Sequence, residues 1–259
     1  MDAICIKGIS KSFGQCHAVS DVNISINEGK IYALIGPNGS GKTTLIKMIT
    51  GLLIPDSGKV TIYDYDIQKE PEMAKTKFGY IADDPSVYEY LTGIEFLSLT
   101  GSLRGLHHHE IHDYIDELSG IFPIKDILYQ PMVQYSRGNK QKVAFLSALL
   151  AKPKILIIDE PIVGLDPTSI STFGKTLSKF AKKGGSVFMA THILSFAQDY
   201  ATRVGVMQNG KIVDERQIKS STRLEELYNL DILKQPKECS SIYPSKLIPI
   251  KSEYSKKGI

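Results

Sequence analysis

At 259 residues the chain is long enough for one large domain or two modest ones. Its composition, 42% apolar and 23% charged, is ordinary for a globular protein, and no apolar run approaches the roughly 18 residues of a membrane span. A net charge of +3 is too small to argue for nucleic acid. Met1-Asp2-Ala3-Ile4-Cys5-Ile6-Lys7 lacks a secretory signal pattern. Cys5, Cys16 and Cys239 are widely spaced, form no metal-ligand pattern and fit a reducing cytoplasm.

Residues 2–35 and 58–67 read as a β-rich stretch. Within it the apolar run 30–35 reads as a strand, and Thr44-Leu45-Ile46-Lys47-Met48-Ile49 opens a helix. Between them lies Gly36-Pro37-Asn38-Gly39-Ser40-Gly41-Lys42-Thr43, of the form G-x-x-x-x-G-K-[ST]. Glycines let the backbone wrap a polyphosphate, and N–H groups at the helix start donate to its oxygens. Lys42 is expected to reach the β- and γ-phosphates and the Thr43 hydroxyl to ligand Mg²⁺. The chain is therefore expected to bind a nucleoside triphosphate.

From about Pro85 to Leu150 the pattern turns helical, with amphipathic spacing over 93–99 and 111–115. His108 and His112 stand at i and i+4, a spacing that can hold metal on a helix. Without a third shielded ligand they read as a solvated helix start. Tyr135-Ser136-Arg137-Gly138-Asn139-Lys140-Gln141 precedes another helical pattern, 143–150. Ser136 is a natural N-cap. Its hydroxyl, the Gly138 N–H and the positive helix end make a second anion half-site. One nucleotide needs both halves only if they come from different subunits.

The four apolar residues 155–158 end in Asp159 and Glu160. A buried parallel strand is apolar throughout, and ligand sites lie at its C-terminal end. Asp159 is then placed to hold the Mg²⁺ shell and Glu160 to polarise water. Residues 169–183 read as a helix, and 186–190 as another apolar strand running out to His192 at the same sheet edge. A further strand at 203–207 is followed by the turn signal Asn209-Gly210. Beyond residue 220, Thr222 to Tyr228 reads as a possible helix. The rest loses periodicity and reads as a partly disordered extension, with Lys246, Lys251, Lys256 and Lys257 solvated rather than on lipid.

With these motifs in this order, the chain resembles the ATP-binding-cassette (ABC) ATPases, the nucleotide-binding subunits of ABC transporters, from about Ile4 to Ile218. The resemblance implies that Phe13 stacks on adenine and that Gly36 to Thr43 form the Walker A loop. It places Asp83 at the Q-loop, Ser136 to Gln141 at the signature, 155–160 at Walker B, Gly164-Leu165-Asp166 at the D-loop and His192 as the switch histidine. Two segments depart from the family. Asp83 stands where Gln is usual, and Tyr-Ser-Arg-Gly-Asn replaces the commoner Leu-Ser-Gly-Gly-Gln. A basic residue after Tyr-Ser resembles the exporter branch called ABC-2 type.

The implied fold is α/β, a P-loop NTPase core with a mainly parallel sheet, an antiparallel β subdomain and a helical signature subdomain. One ABC ATPase domain is expected over 1–220, with the core at 1–84 and 151–220 and the helical subdomain at 85–150. Residues 221–259 form the extension. Implied ligands are ATP, through Phe13, Gly36 to Thr44, Ser136, Gly138 and Asp166, and Mg²⁺, through Thr43, Asp83 and Asp159. Glu160, His192 and Lys42 are the implied catalytic groups. Implied partners are integral-membrane transporter subunits and a second cassette, identical or paralogous, at the cytoplasmic face of the membrane. The alternative is a soluble ABC ATPase working as an assembly or remodelling factor. A cassette whose hydrolysis has lapsed is disfavoured by intact Lys42, Asp159, Glu160 and His192. A small-molecule kinase leaves the signature and D-loop unexplained.

Overall fold

The computed structural model describes residues 1–85, 87–150, 152–160, 162–219 and 222–225. Cys239, the four C-terminal lysines and the expected helix beyond residue 225 lie outside the described residues. Two long strands, β1 (Asp2–Phe13) and β2 (Cys16–Asn27), open the chain as an antiparallel hairpin. Next come β3 (Ile31–Ile35), α1 (Lys42–Ile49), β4 (Ser57–Ile62), β5 (Tyr65–Asp66), α2 (Pro71–Lys75) and β6 (Phe78–Ile81). A helical block follows, made of α3 (Gly93–Leu103), α4 (His108–Ser119) and α5 (Arg137–Leu150). The chain then alternates through β7 (Ile155–Asp159), α6 (Pro167–Lys182), β8 (Ser186–Thr191), α7 (Leu194–Tyr200), β9 (Arg203–Gln208) and β10 (Lys211–Gln217).

Two sheets result. β2-β1-β4-β5 are antiparallel, and β10-β9-β3-β8-β7-β6 are parallel except for the β10 edge. This is the mainly parallel core and antiparallel subdomain expected. Strand alternation divides the interior. Ile31, Ala33 and Ile35 face a core shared with Phe145, Phe173 and Phe196 of the helices. Tyr32 and Leu34 face the other way, toward Leu45 and Ile46 of α1 and Ile4 and Ile6 of β1. β3, β7 and β8 are buried along their whole length, which is why they read as continuous apolar runs rather than alternating ones.

β6 and α7 are additions the residue pattern did not announce. β6 has four residues and a glycine at its second position, too short a run for periodicity to register. That glycine has a packing reason. A Cβ on Gly79 would lie 2.4 Å from the Ala148 carbonyl oxygen, so α5 sits directly on the strand. α3 is closed by a capping box in which Glu95 N–H donates to Thr92 Oγ1 (3.3 Å) and Thr92 N–H to Glu95 (2.8 Å). At α4 the histidines are exposed as expected, with His112 3.6 Å from Asp116, and no three metal-ligating side chains cluster among the described residues. No helix among them is long and apolar enough to cross a membrane.

Candidate nucleotide-binding site

Strand order sets the site. β3, β8, β7 and β6 are neighbours and parallel, so all four release their loops at one edge. Side by side along that edge stand the glycine-rich loop, His192, the Asp159-Glu160 pair and Asp83. The register aligns Ile35 with Thr191, Asp159 with Ala190, and Ile81 with Ile158.

The loop after β3 is shaped by what touches it. A Cβ on Gly36 would meet the Met207 carbonyl oxygen at 2.3 Å, and one on Gly41 the Ala18 carbonyl oxygen at 2.3 Å. Gly41 also holds φ +107 and Gly39 φ +80, the left-handed region that only glycine enters freely. The turn between β9 and β10 braces the same loop, because Gly210 N–H donates to Ser40 O at 3.0 Å. In the sequence Asn209-Gly210 is a turn signal alone; its contact with the loop depends on a neighbour 170 positions away.

Lys42 starts α1 and is buried. Its Nζ donates to Gly36 O (2.9 Å) and Pro37 O (3.1 Å) and lies 3.9 Å from Glu160 Oε1. Burial lowers its pKa, while Glu160 and Asp159 act in the opposite direction. Glu160 in turn meets His192, whose Nδ1 is 2.8 Å from Oε2 and whose backbone N–H donates to the same oxygen at 3.3 Å. Lys42, Glu160 and His192 thus form a continuous chain across three loops. Glu160 sits at φ +47, outside the ordinary range for a non-glycine residue.

Asp159 is 1% exposed, and its Oδ1 has no hydrogen-bond partner among the described residues. Burial, then Glu160 and Asp83, push its pKa up to about 6, against a hydrogen bond from Thr43 and the charge of Lys42. A buried carboxylate oxygen without a partner, beside a threonine hydroxyl, is a hard-oxygen donor set that suits Mg²⁺. Ser40 Oγ is likewise buried and unpartnered. Phe13 ends β1 and is half exposed, with Lys11 Nζ 5.7 Å from the ring centroid. Asp56 secures that corner through Lys11 and the Ser12 N–H, both at 2.7 Å.

The signature residues gather at the start of α5. Ser136 Oγ accepts from Asn139 N–H at 3.2 Å, capping α5. A Cβ on Gly138 would lie 2.5 Å from Gly164 O, so α5 rests on the loop after Glu160. Asp166 caps α6, accepting from Ser169 N–H (2.8 Å) and Oγ (2.6 Å), with Lys142 at 3.3 Å. Those bonds hold its pKa well below the usual carboxylate range. Arg137 Nη2 donates to Asp83 Oδ1 at 3.1 Å. The two departures from the family pattern are therefore partners, a relation that a separation of 54 positions hides in the sequence.

Residues 19–163 match the ABC transporter family. The lantibiotic transport ATP-binding protein SrtF of Streptococcus pyogenes is 32% identical over 228 residues, 88% of this chain and 96% of that protein. A solved ATP-binding subunit of an ABC transporter superposes with TM-score 0.82 at 32% identity, covering 87% of this chain and 98% of its own. The cassette MJ0796, solved as a dimer in a post-hydrolysis state with ADP and Pi, shares the fold at TM-score 0.77 and 23% identity, covering 84% of this chain and 99% of its own.

Proposed function

The chain belongs to the ABC transporter family as an ATP-binding subunit with ATPase activity, and on that premise we propose that two cassettes close head to tail to complete each nucleotide site. The observation that carries the reading is the Lys42–Glu160–His192 chain beside the unpartnered Asp159 Oδ1. Phe13 stacks the base, and the N–H groups of 38–43 receive the phosphates. Lys42 exchanges its two carbonyl partners for the β- and γ-oxygens. Thr43 and Asp159 would hold Mg²⁺, which offsets phosphate charge when bound.

Ser136 and Gly138 close from the facing subunit. Glu160 takes the proton of the attacking water as its oxygen bonds to the γ-phosphorus and the bond to the β-bridging oxygen breaks. His192 fixes the Glu160 carboxylate through its ring and its backbone N–H. Asp83, which the family pattern offers as a further metal ligand, is engaged by Arg137 and is left out of this set.

The membrane partner meets a groove of about 490 Å³ between α2, β6 and α3, whose lining includes Leu52, Phe78, Tyr80, Leu103 and Arg104. Leu52 and Leu103 are 63% and 77% exposed there. Arg104 donates to Lys75 O at 2.8 Å and carries a cation into the rim. This surface suits a short amphipathic helix of a transmembrane subunit at the cytoplasmic face. Peptide export is the direction proposed, from the likeness of the Tyr135 to Gln141 signature to ABC-2 exporters and of the chain to a lantibiotic transport subunit.

The test is Mg²⁺-dependent ATP hydrolysis against protein concentration, with Glu160→Gln alongside. A rate per chain that rises with concentration and is lost in the variant supports a composite dimer site. Hydrolysis by Glu160→Gln at the parent rate would remove Glu160 from its role.

A further inference from the structure

α5 carries its charge at the wrong end. Arg137, Lys140 and Lys142 stand in its first two turns with no acidic residue in the first, opposed to the helix macrodipole. Each cation is answered by a carboxylate from a different segment. Arg137 meets Asp83 (3.1 Å), Lys140 meets Glu89 (2.5 Å) and Lys142 meets Asp166 (3.3 Å). Arg137 differs from the other two in the number of segments it joins. Its Nη2 donates to the Asp83 backbone oxygen as well as the carboxylate, at 3.3 Å and 3.1 Å, so it holds the loop after β6 and not only a side chain. Its Cβ, Cγ and Cδ are also the atoms nearest the open side of Gly164, which sits at φ +85. One side chain at the start of α5 therefore bonds the loop that follows β6 and lies over the open side of Gly164 in the loop that follows β7, the strands that bring Asp83, Asp159 and Glu160 to the site.

We propose that Arg137 is a positioning residue acting within its own subunit. Paired with Asp83, it clamps the 82–85 and 162–166 loops to the first turn of α5, so that Ser136 and Gly138 face the neighbouring cassette in register with Glu160. This rests on the composite-site reading above and deepens it. It assigns Asp83 and Arg137 to one another, rather than Asp83 to the metal or Arg137 to the phosphates of the facing subunit. Both side chains are about half exposed, where an ion pair adds little stability. Its effect is on geometry, and small misplacements of groups around a reacting centre are costly in rate.

The experiment uses the full chain with Asp83→Ala, Arg137→Ala, the two combined, and the reversed pair Asp83→Arg with Arg137→Asp. Folding is followed by circular dichroism and thermal unfolding, and turnover by kcat and KM for MgATP. Each single variant is expected to lower kcat about tenfold with KM held within about twofold. The double variant is expected to fall no lower than the worse single, and the reversed pair to recover to within about threefold of the parent. Mg²⁺ half-saturation stays unchanged in Asp83→Ala. Multiplying losses, or no recovery in the folded reversed pair, would overturn the clamp. So would a tenfold rise in KM confined to Arg137→Ala, which sends the guanidinium to a phosphate, or a raised Mg²⁺ requirement in Asp83→Ala. If the parent's rate per chain ignores protein concentration, the composite site fails instead. The clamp is then read from unfolding alone: melting-temperature losses that do not add support it, and additive losses remove it.

Discussion

The two proposed phosphate half-sites of this chain are built on opposite plans. At the glycine-rich loop, polar groups lack partners among the described residues: Asp159 Oδ1 and Ser40 Oγ are buried and unbonded, and Lys42 bonds two carbonyls of its own loop with Glu160 3.9 Å away. At the start of α5, every cation is already matched by a carboxylate of the same subunit, and Ser136 is spent on its own helix. An unsatisfied buried group costs free energy until a ligand meets it, so the first half-site is prepared for ligand chemistry. The second is prepared for orientation. A face proposed to present Ser136 and Gly138 to a second cassette gains from having its own segments held together first.

Substitutions can break this contrast at either half. The largest effect is expected from Glu160→Gln, a loss of turnover of about 10²–10³ or more, of the size seen when one preorganised transition-state contact is removed. Nucleotide-induced dimers should accumulate in it by size-exclusion chromatography. Lys42→Ala removes charge-assisted bonds to phosphate, each worth about 1.5–3 kcal/mol, and should weaken ATP binding by roughly 10–100-fold in a fluorescent-nucleotide titration. Gly36→Ala drives a methyl group to 2.3 Å from the Met207 carbonyl oxygen. Overpacking of this kind costs about 1–3 kcal/mol, read as a lowered urea midpoint.

The smallest effect belongs to the second half-site. Asp166→Ala removes the α6 cap and is expected to cost about 1 kcal/mol at pH 7. Because hydrogen bonds from Ser169 lower the Asp166 pKa in the folded chain, its contribution is fully present above the unfolded value near 3.8 and disappears as pH falls through the folded value. The gap in stability between parent and Asp166→Ala should therefore narrow in acid. A gap that is constant down to pH 3 would mean that Asp166 does not cap α6 as an anion.

Much of the first half-site was legible in the residues. A glycine-rich loop between a strand and a helix is a local arrangement, and its chemistry follows from residues a few positions apart. The apolar runs at 30–35, 155–158 and 186–190 are likewise legible, because strands buried on both faces show no polar alternation. β6 escaped notice because four residues around Gly79 carry no period. Only α5 lying against that glycine explains it. Asp83 and Arg137 looked like two separate departures from a family pattern until the fold placed them 3.1 Å apart.

What the sequence determined by itself was thus the inventory: which strands are buried, which loop has the form of a phosphate cradle, which carboxylates and which histidine end the strands. The tertiary structure decided their adjacency. Strand order β3-β8-β7-β6 lines up four loops at one edge, and the β9–β10 turn reaches back to brace the first of them. Local pattern reports which face of an element is apolar, whereas strand order and loop contacts arise from packing between segments far apart in the chain.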